Sequence, residues 1–289
     1  MRTNADALAV LSVMGEVIHP KASRDTAWRV GADGVPRALP GTGGICYNVR
    51  VGMRALGWPG EHLEPGVSTR NKDDAENAAY NQLAMIGNAA RVASGDAKDA
   101  LGYVTGKHGG IEHVLIEFND EALEKLLPGD KVLIKARGLG LELLDYPDVR
   151  VTNLDPGLLD AWGVREEEGG LVVPVTHTVP ARIMGSGLGR DSVFRGDYDI
   201  QTFSPDVVAE HGLEDVKLGD LVAILGADNT YGRIYSTGAV SVGVVVHADS
   251  FIAGHGPGVT TVLSSGVEGR IRPVLDAEAN IKALQERRG

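Results

Sequence analysis

The 289-residue chain has a net charge of −11, and its length suffices for two modest domains or one large one. Apolar residues make up 43% and charged residues 23%, as in ordinary globular proteins, and the acidic balance disfavours nucleic acid and anionic membranes as partners. The single cysteine, Cys46, excludes a disulfide framework and a cysteine-based zinc site, and we expect a cytoplasmic protein.

Short β-type runs dominate the first half of the chain. The apolar run at 7–14 is too short to span a bilayer and is interpreted as a buried strand. Apolar residues at helical spacing predict a helix over residues 73–91. Three further strands are predicted, in the runs LGYVTG, EHVLIEF and KVLIKA.

The second half adds long apolar runs between short helices. Asp155-Pro156 and Ser204-Pro205 are typical helix starts, with a capping side chain followed by proline. Strands are predicted within 216–228 and 237–249, the latter buried on both faces. The hydroxyl-rich run 258–265 is interpreted as a turn capped by its own side chains.

These elements predict a β-rich α+β fold. Spacing typical of repeated βαβ units is absent, so a doubly wound sheet is not favoured. We expect a two-part architecture of barrel- or sandwich-like sheets with short helices. Turn residues cluster over 142–157, which places an N-terminal β-rich domain at 1–145 and a C-terminal domain at 146–289.

The stretch HADSFIAGHGPGV carries the main candidate site. His247 and Asp249 are two residues apart at the end of an apolar strand, where alternate side chains share a face. The glycine-rich loop that follows can bring His255 back toward them. These three residues are candidate catalytic residues and candidate ligands of a divalent ion of the zinc or magnesium class. Alternatively, Asp249 orients a histidine that acts as a general base, or the three anchor a loop.

Other glycine-rich loops carry candidate substrate-binding residues. They are Gly43, Gly44, Asn48, His62, Glu64, His108 and Asp197, in the segments GTGGICYNV, GEHLEPGVS, TGKHGG and RGDYDIQ. Backbone N–H groups in such loops can bind anions. We expect residues 41–48, 105–110, 185–191 and 247–258 to line one cleft. His113 lies within a predicted strand and is interpreted as a core histidine.

A nucleotide cofactor is not expected. The run GSGLGRD at 185–191 has the spacing GxGxG rather than GxGxxG, and no helix or ribose-binding acid follows it at the required distance. A turn or a substrate-lining loop is the favoured interpretation of this segment.

Together these motifs give the chain a recognisable pattern. PGTGGICYNV, GEHLEPGVS, TGKHGGIEHV, GSGLGRD and HADSFIAGHGPGVTT resemble a bacterial and archaeal family catalogued as a two-part domain of unknown function. The resemblance covers nearly the whole chain and implies a β-rich N-terminal part and a distinct C-terminal part. The glycine-rich loops with His and Asp at strand ends are more distantly similar to those of acetamidases and formamidases.

Three functions follow as hypotheses. The first is a hydrolase of a small amide or related C–N bond, metal-dependent if the His and Asp side chains bind an ion. The second is a non-enzymatic protein that binds a small metabolite, and the third is a structural component of an oligomer. A hydrolase needs an activated water or nucleophile beside the substrate, whereas a binding protein does not. We also expect a homo-oligomer.

Overall fold

The computed structural model describes residues 1–22 and 28–288, and it is rich in β-strands. In the first half of the chain lie β1 Leu11–Val17, β2 Arg29–Val30, β3 Pro36–Arg37, β4 Ile45–Cys46, β5 Gly66–Arg70, α1 Asp74–Leu83, β6 Ala89–Val92, β7 Leu101–His108, β8 His113–Phe118, α2 Asp120–Lys125 and β9 Lys131–Ala136. The second half contains β10 Arg150–Val151, α3 Pro156–Trp162, β11 Arg165–Glu167, β12 Gly170–Val175, β13 His177–Pro180, β14 Tyr198–Asp199, α4 Pro205–Glu210, β15 Leu221–Asp228, β16 Ile234–Val245, β17 Gly258–Ser265, β18 Ile271–Leu275 and α5 Ile281–Arg288. The predicted β-rich fold with short helices is confirmed.

Six strands of the first half close into an antiparallel barrel. Their order is β1-β9-β6-β7-β8-β5, and pairing of β5 with β1 completes the ring, while β4 extends from β5. Inward-facing apolar side chains such as Val67, Val104, Ile116 and Ile134 fill the barrel and are fully buried. The predicted barrel is therefore present, and closure leaves few unpaired edges.

The strands of the second half form two further sheets. The larger has the order β10-β17-β16-β15-β13, with β14 paired to β17, and the smaller has the order β11-β12-β18. The domain boundary inferred at residue 145 lies in a turn between β9 and β10. One apolar core nevertheless joins both sides of that turn, since Ile86 and Leu115 belong to the same buried cluster as Leu158 and Val242.

The helix predicted over 73–91 is correct at its start and wrong in its extent. Asp73 caps α1 by accepting hydrogen bonds from the N–H groups of Ala75 and Glu76, and the helix ends at Leu83. The chain leaves the helix at Ala84, whose backbone is extended, and Gly87, at φ +93°, lies in the turn that follows. The residues beyond it form β6, which completes the barrel between β7 and β9.

The interpretation of 258–265 as a turn is also wrong. These residues form β17, which is buried along its whole length and pairs with β16. Its hydroxyls bond within the sheet and across to the barrel, where Thr260 donates to the carbonyl of Lys107 over 3.0 Å. β17 thereby fixes the end of β7 against the second sheet.

None of the described helices is both long and apolar enough to cross a membrane.

Candidate functional site

A cavity of about 430 Å³ lies where the barrel meets the second sheet. Each of the four glycine-rich segments contributes to its wall, through Gly41 and Thr42, His108 to Gly110, Ser186 with Gly187 and Arg190, and His255. The prediction that these segments line one cleft is confirmed. The volume suits a small metabolite, since drug-sized ligand pockets start near about 300 Å³.

Glu64 organises the end of the barrel that faces this cavity. Its carboxylate is fully buried and accepts hydrogen bonds from Nδ1 of His108 over 2.6 Å and from Nδ1 of His113 over 3.0 Å. Burial raises the pKa of Glu64, but the two imidazoles lower it by more than burial raises it. The pKa of Glu64 therefore lies well below its usual range. Because Nδ1 of His108 carries the proton toward Glu64, its Nε2 lone pair is available for a ligand.

His247 and Asp197 form a buried pair that lacks a hydrogen bond. Nε2 of His247 and Oδ2 of Asp197 are 2.7 Å apart, yet the two atoms are misaligned and neither has a hydrogen-bond partner among the described residues. Nδ1 of His247 donates to the carbonyl of Ala248 over 2.8 Å, and Oδ1 of Asp197 accepts from the N–H of Gly109 over 2.7 Å. In neutral His247, Nε2 and Oδ2 are two acceptors facing each other, an arrangement that requires a proton or a metal ion.

The pKa values of His247, Asp197 and His108 agree with a need for positive charge at the His247–Asp197 contact. Burial opposes protonation of His247, but Asp197 and Asp199 outweigh it and raise its pKa to about 9. Burial likewise opposes ionisation of Asp197, and the imidazoles of His247 and His108 hold its pKa below the usual value. Burial and the nearby His247 lower the pKa of His108, which keeps that imidazole neutral. The group thus attracts positive charge at the His247–Asp197 contact.

His108, Asp197 and His247 together offer one set of metal ligands, and a second set adjoins it. The ligand atoms of the first set lie within 4.8 Å of one another, and those of His62, Asp199 and His255 do the same. In the second set, Nε2 of His62 is 2.9 Å from Nδ1 of His255, which is 3.0 Å from Oδ2 of Asp199. Imidazole and carboxylate donors of this kind suit zinc and related divalent ions.

Asp199 lies between the two sets. One of its oxygens contacts His255, and the other is 3.7 Å from Nε2 of His247. The rings of His62 and His247 are 5.1 Å apart between centroids, and those of His108 and His247 are stacked at 4.1 Å. A carboxylate placed between two ligand sets can bridge two cations, as in two-metal hydrolytic sites.

Backbone geometry supports both sets. His62 has φ of +55°, a conformation that residues other than glycine rarely adopt, and its N–H donates to the carbonyl of Asp249. At Gly258, a side chain would begin 1.8 Å from Oδ2 of Asp197 and 2.2 Å from Nε2 of His247. Only glycine at this position leaves the space in front of the pair free.

The structure does not bring Asp249 into either ligand set. β16 ends at Val245, so the alternation expected of a strand does not extend to His247 and Asp249. The Asp249 carboxylate instead accepts hydrogen bonds from Oγ1 of Thr202 and the N–H of Ser250. The partner of His247 is Asp197, from a distant part of the chain.

The candidate substrate-binding residues fall into three groups. His62, His108 and Asp197 line the cavity. Glu64 lies behind it, where the N–H of Gly43 donates to its Oε2 over 2.7 Å, and Gly44 adjoins that contact in the chain. Asn48 is exposed and does not line the cavity. His113 is buried, as predicted for a core histidine, but it also contacts Glu64.

Several residues of the site were not among the predicted ones. Asp199 is one, although its spacing of two residues from Asp197 is the spacing that puts two side chains on the same side of an extended segment. Glu61 is another, and it accepts hydrogen bonds from the N–H of Phe251 and the hydroxyl of Ser250. The buried Arg233 also lines the cavity, and nothing in its sequence neighbourhood marks it.

Comparison with known proteins shows similarity along almost the whole chain. Residues 28–160 match a family described as "Domain of unknown function (DUF4438), N-terminal", and residues 161–285 match its C-terminal counterpart. A solved structure described as "Crystal structure of TM1086" is 48% identical, with 98% of each chain covered and a TM-score of 0.92. No curated protein matches the chain.

Proposed function

The chain belongs to the two-part DUF4438 family, and we propose that it is a metal-dependent hydrolase that cleaves an amide or related C–N bond of a small molecule. The observation that carries this proposal is the buried, misaligned contact of 2.7 Å between Nε2 of His247 and Oδ2 of Asp197. A divalent cation satisfies both atoms at once. Asp197 lines the cavity, so a cation bound to it would be available to a substrate.

Two cations are proposed, one in each ligand set. His108, Asp197 and His247 would hold the first, and His62, Asp199 and His255 the second, with Asp199 shared between them. Four imidazoles and two carboxylates favour zinc or a similar transition metal over magnesium, which prefers oxygen ligands. Such cations lower the pKa of bound water and polarise a carbonyl.

Hydrogen bonds within the chain orient two of the ligand histidines for this chemistry. Glu64 and the carbonyl of Ala248 hold the protons on Nδ1 of His108 and His247, so both Nε2 atoms face the ligand site. His255 is the most exposed of the four histidines, with 28% of its side chain accessible. Because His255 is a ligand of the second cation in this scheme, the proton for the leaving nitrogen comes from the activated water. In the overall reaction water oxygen bonds to the carbonyl carbon, the C–N bond breaks, and a water proton reaches the departing amine.

The open cavity argues against a purely structural protein but is equally suited to a non-enzymatic binding protein. A purely structural role for the histidines predicts a packed polar cluster. Three of the four, His62, His108 and His255, line an open cavity instead, as do Asp197 and Asp199. A non-enzymatic binding protein uses the same cavity without turnover, so only catalysis separates it from a hydrolase.

The test compares stripped and reloaded protein. Chelator-treated protein is reloaded with zinc, manganese, cobalt or magnesium and assayed against a panel of small amides, with esters and phosphoesters alongside. We expect amide hydrolysis only after reloading, and a loss of at least about a hundredfold in Asp199→Asn, because a shared ligand is removed.

Asp249→Asn is the matched control, since it makes the same change in a part-buried carboxylate outside both ligand sets. Its activity should stay within a few-fold of wild type. Loaded protein that hydrolyses nothing on the panel would favour the binding-protein alternative.

A further inference from the structure

The cavity is unusually basic for an acidic protein. Five of its lining side chains are cationic, namely Lys21, Arg29, Arg190, Arg195 and Arg233, although the chain as a whole has a net charge of −11. The acidic lining residues belong to the ligand sets or neighbour them, so bound cations would neutralise them. A substrate entering this space meets a positive potential.

The arginines on one wall are incompletely neutralised. Among the described residues, Arg190 and Arg195 share a single carboxylate, Glu112, at 3.5 and 3.4 Å. Glu112 has φ of +54° and is held through its carbonyl by the side-chain amides of Asn77 and Asn81. Because two arginines are paired with one carboxylate, one positive charge remains in excess beside the cavity.

Arg233 is the most informative of these side chains. It is 2% exposed, and its Nη1 donates to the carbonyls of Gly187 and Asp197. Its guanidinium lies over the ring of Tyr198, with 5.0 Å to the ring centroid. Nε and Nη2 are buried and have no hydrogen-bond partner among the described residues.

These two nitrogens form one edge of the guanidinium, the fork that matches two oxygens of a carboxylate or phosphate. Leaving such donors unpaired in a buried site is costly, so a ligand that supplies two oxygens is strongly favoured there. The carbonyl of Asp197 fixes the same guanidinium, which places the fork next to the first ligand set.

We propose that the substrate carries an oxyanion, and that Arg233, with Arg195 and Arg190, binds it at the end of the cavity next to Asp197. This inference rests on the proposed function, because it assigns the same cavity to the substrate. Carboxylate and phosphate share the chemistry that the arginines recognise. The substrate class is therefore a small acidic amide, one whose scissile C–N bond lies a short distance from a negative group.

The experiment titrates the protein with inorganic phosphate and, separately, with succinate, by calorimetry. Both stripped and zinc-loaded protein are used, because phosphate can also bind zinc directly. The variants are Arg233→Lys and Arg195→Gln, and Arg195 is 35% exposed, so its replacement should leave the fold intact. Arg182→Gln is the matched control, since Arg182 is exposed, pairs with Glu210 and does not line the cavity.

We expect at least one of the two anions to bind wild type with one site per chain, whether or not zinc is present. Arg195→Gln and Arg233→Lys should weaken binding about tenfold or more, the scale of one lost charged hydrogen bond, and Arg182→Gln should not. Binding of phosphate alone assigns a phosphorylated substrate, and binding of succinate alone assigns a carboxylate.

Two results would overturn the inference. One is that wild type binds neither anion, and the other is that both arginine variants bind as tightly as wild type. Zinc content is measured on the same samples. Protein that takes up no zinc but binds anions through the arginines refutes the metal proposal alone, whereas zinc-loaded protein without anion binding refutes this inference alone.

Discussion

In metal-free protein, replacement of Asp197 by asparagine should show that His247 is protonated where it contacts Asp197. Without a cation, His247 carries a proton there, and its pKa of about 9 exceeds the ordinary value of 6.5. A difference of this size corresponds to about 3 kcal/mol of stabilisation. Because the pKa is raised in the folded state, this stabilisation is fully present below pH 6.5 and is lost as the pH rises through 9.

Asp197→Asn removes the carboxylate with little change in volume. At pH 6 the stripped variant should lose about 3 kcal/mol in its free energy of unfolding relative to stripped wild type, because the buried imidazolium loses its counter-charge. At pH 9.5 most of that difference should disappear, since His247 is then neutral in both proteins. Urea unfolding of chelator-treated samples at the two pH values measures the effect.

Asp249→Asn serves as control, because it changes a part-buried carboxylate whose hydrogen bonds go to Thr202 and Ser250 rather than to His247. Its effect on stability should not follow the same pH dependence. An Asp197→Asn variant whose loss of stability is equal at pH 6 and pH 9.5 would refute the assignment of charge to this pair.

Three further predictions concern the ligand sets and the assembly. Glu64→Gln should weaken cation binding about 10- to 100-fold, because the new amide cannot accept from both His108 and His113; unchanged affinity in a zinc competition titration would contradict this. Gly258→Ala should remove one of the two cations, since the methyl group fills the space beside Asp197 and His247; elemental analysis that still finds two would be evidence against it. We also expect a homo-oligomer, whose exposed apolar contacts would include Tyr235 at the start of β16, and a monomer in light scattering would exclude it.

The sequence predicts which segments form strands and turns better than it predicts which strands pair with each other. Gly-Asp turns precede both β9 and β15, and in each the aspartate accepts from the N–H three residues earlier, at Leu127 for Asp130 and at Lys217 for Asp220. This likeness was visible in the sequence, because local turn chemistry depends on neighbouring residues. Closure of the barrel depends instead on the pairing of β1 with β5, which no local pattern reveals.

In the candidate site, too, the sequence indicates the local segments but not the contacts between distant ones. Glycine-rich loops with polar side chains identify the segments that converge on the cavity, and His247 and His255 belong to one of these segments. The partner of His247 was not, because alternation along a strand points to Asp249 while the strand ends at Val245. Asp197 lies 50 residues earlier in the chain, and it reaches His247 because β14, which follows it, pairs with β17 beside the end of β16.

The most direct test of the central claim is to locate the cations. Protein purified without chelator is analysed for metal content and then crystallised, with diffraction data collected on both sides of the absorption edge of the metal found. We expect two ions per chain, one contacting His108, Asp197 and His247 and the other contacting His62, Asp199 and His255. Absence of any anomalous peak at both sets, in protein that also retains no zinc after reloading, would contradict it.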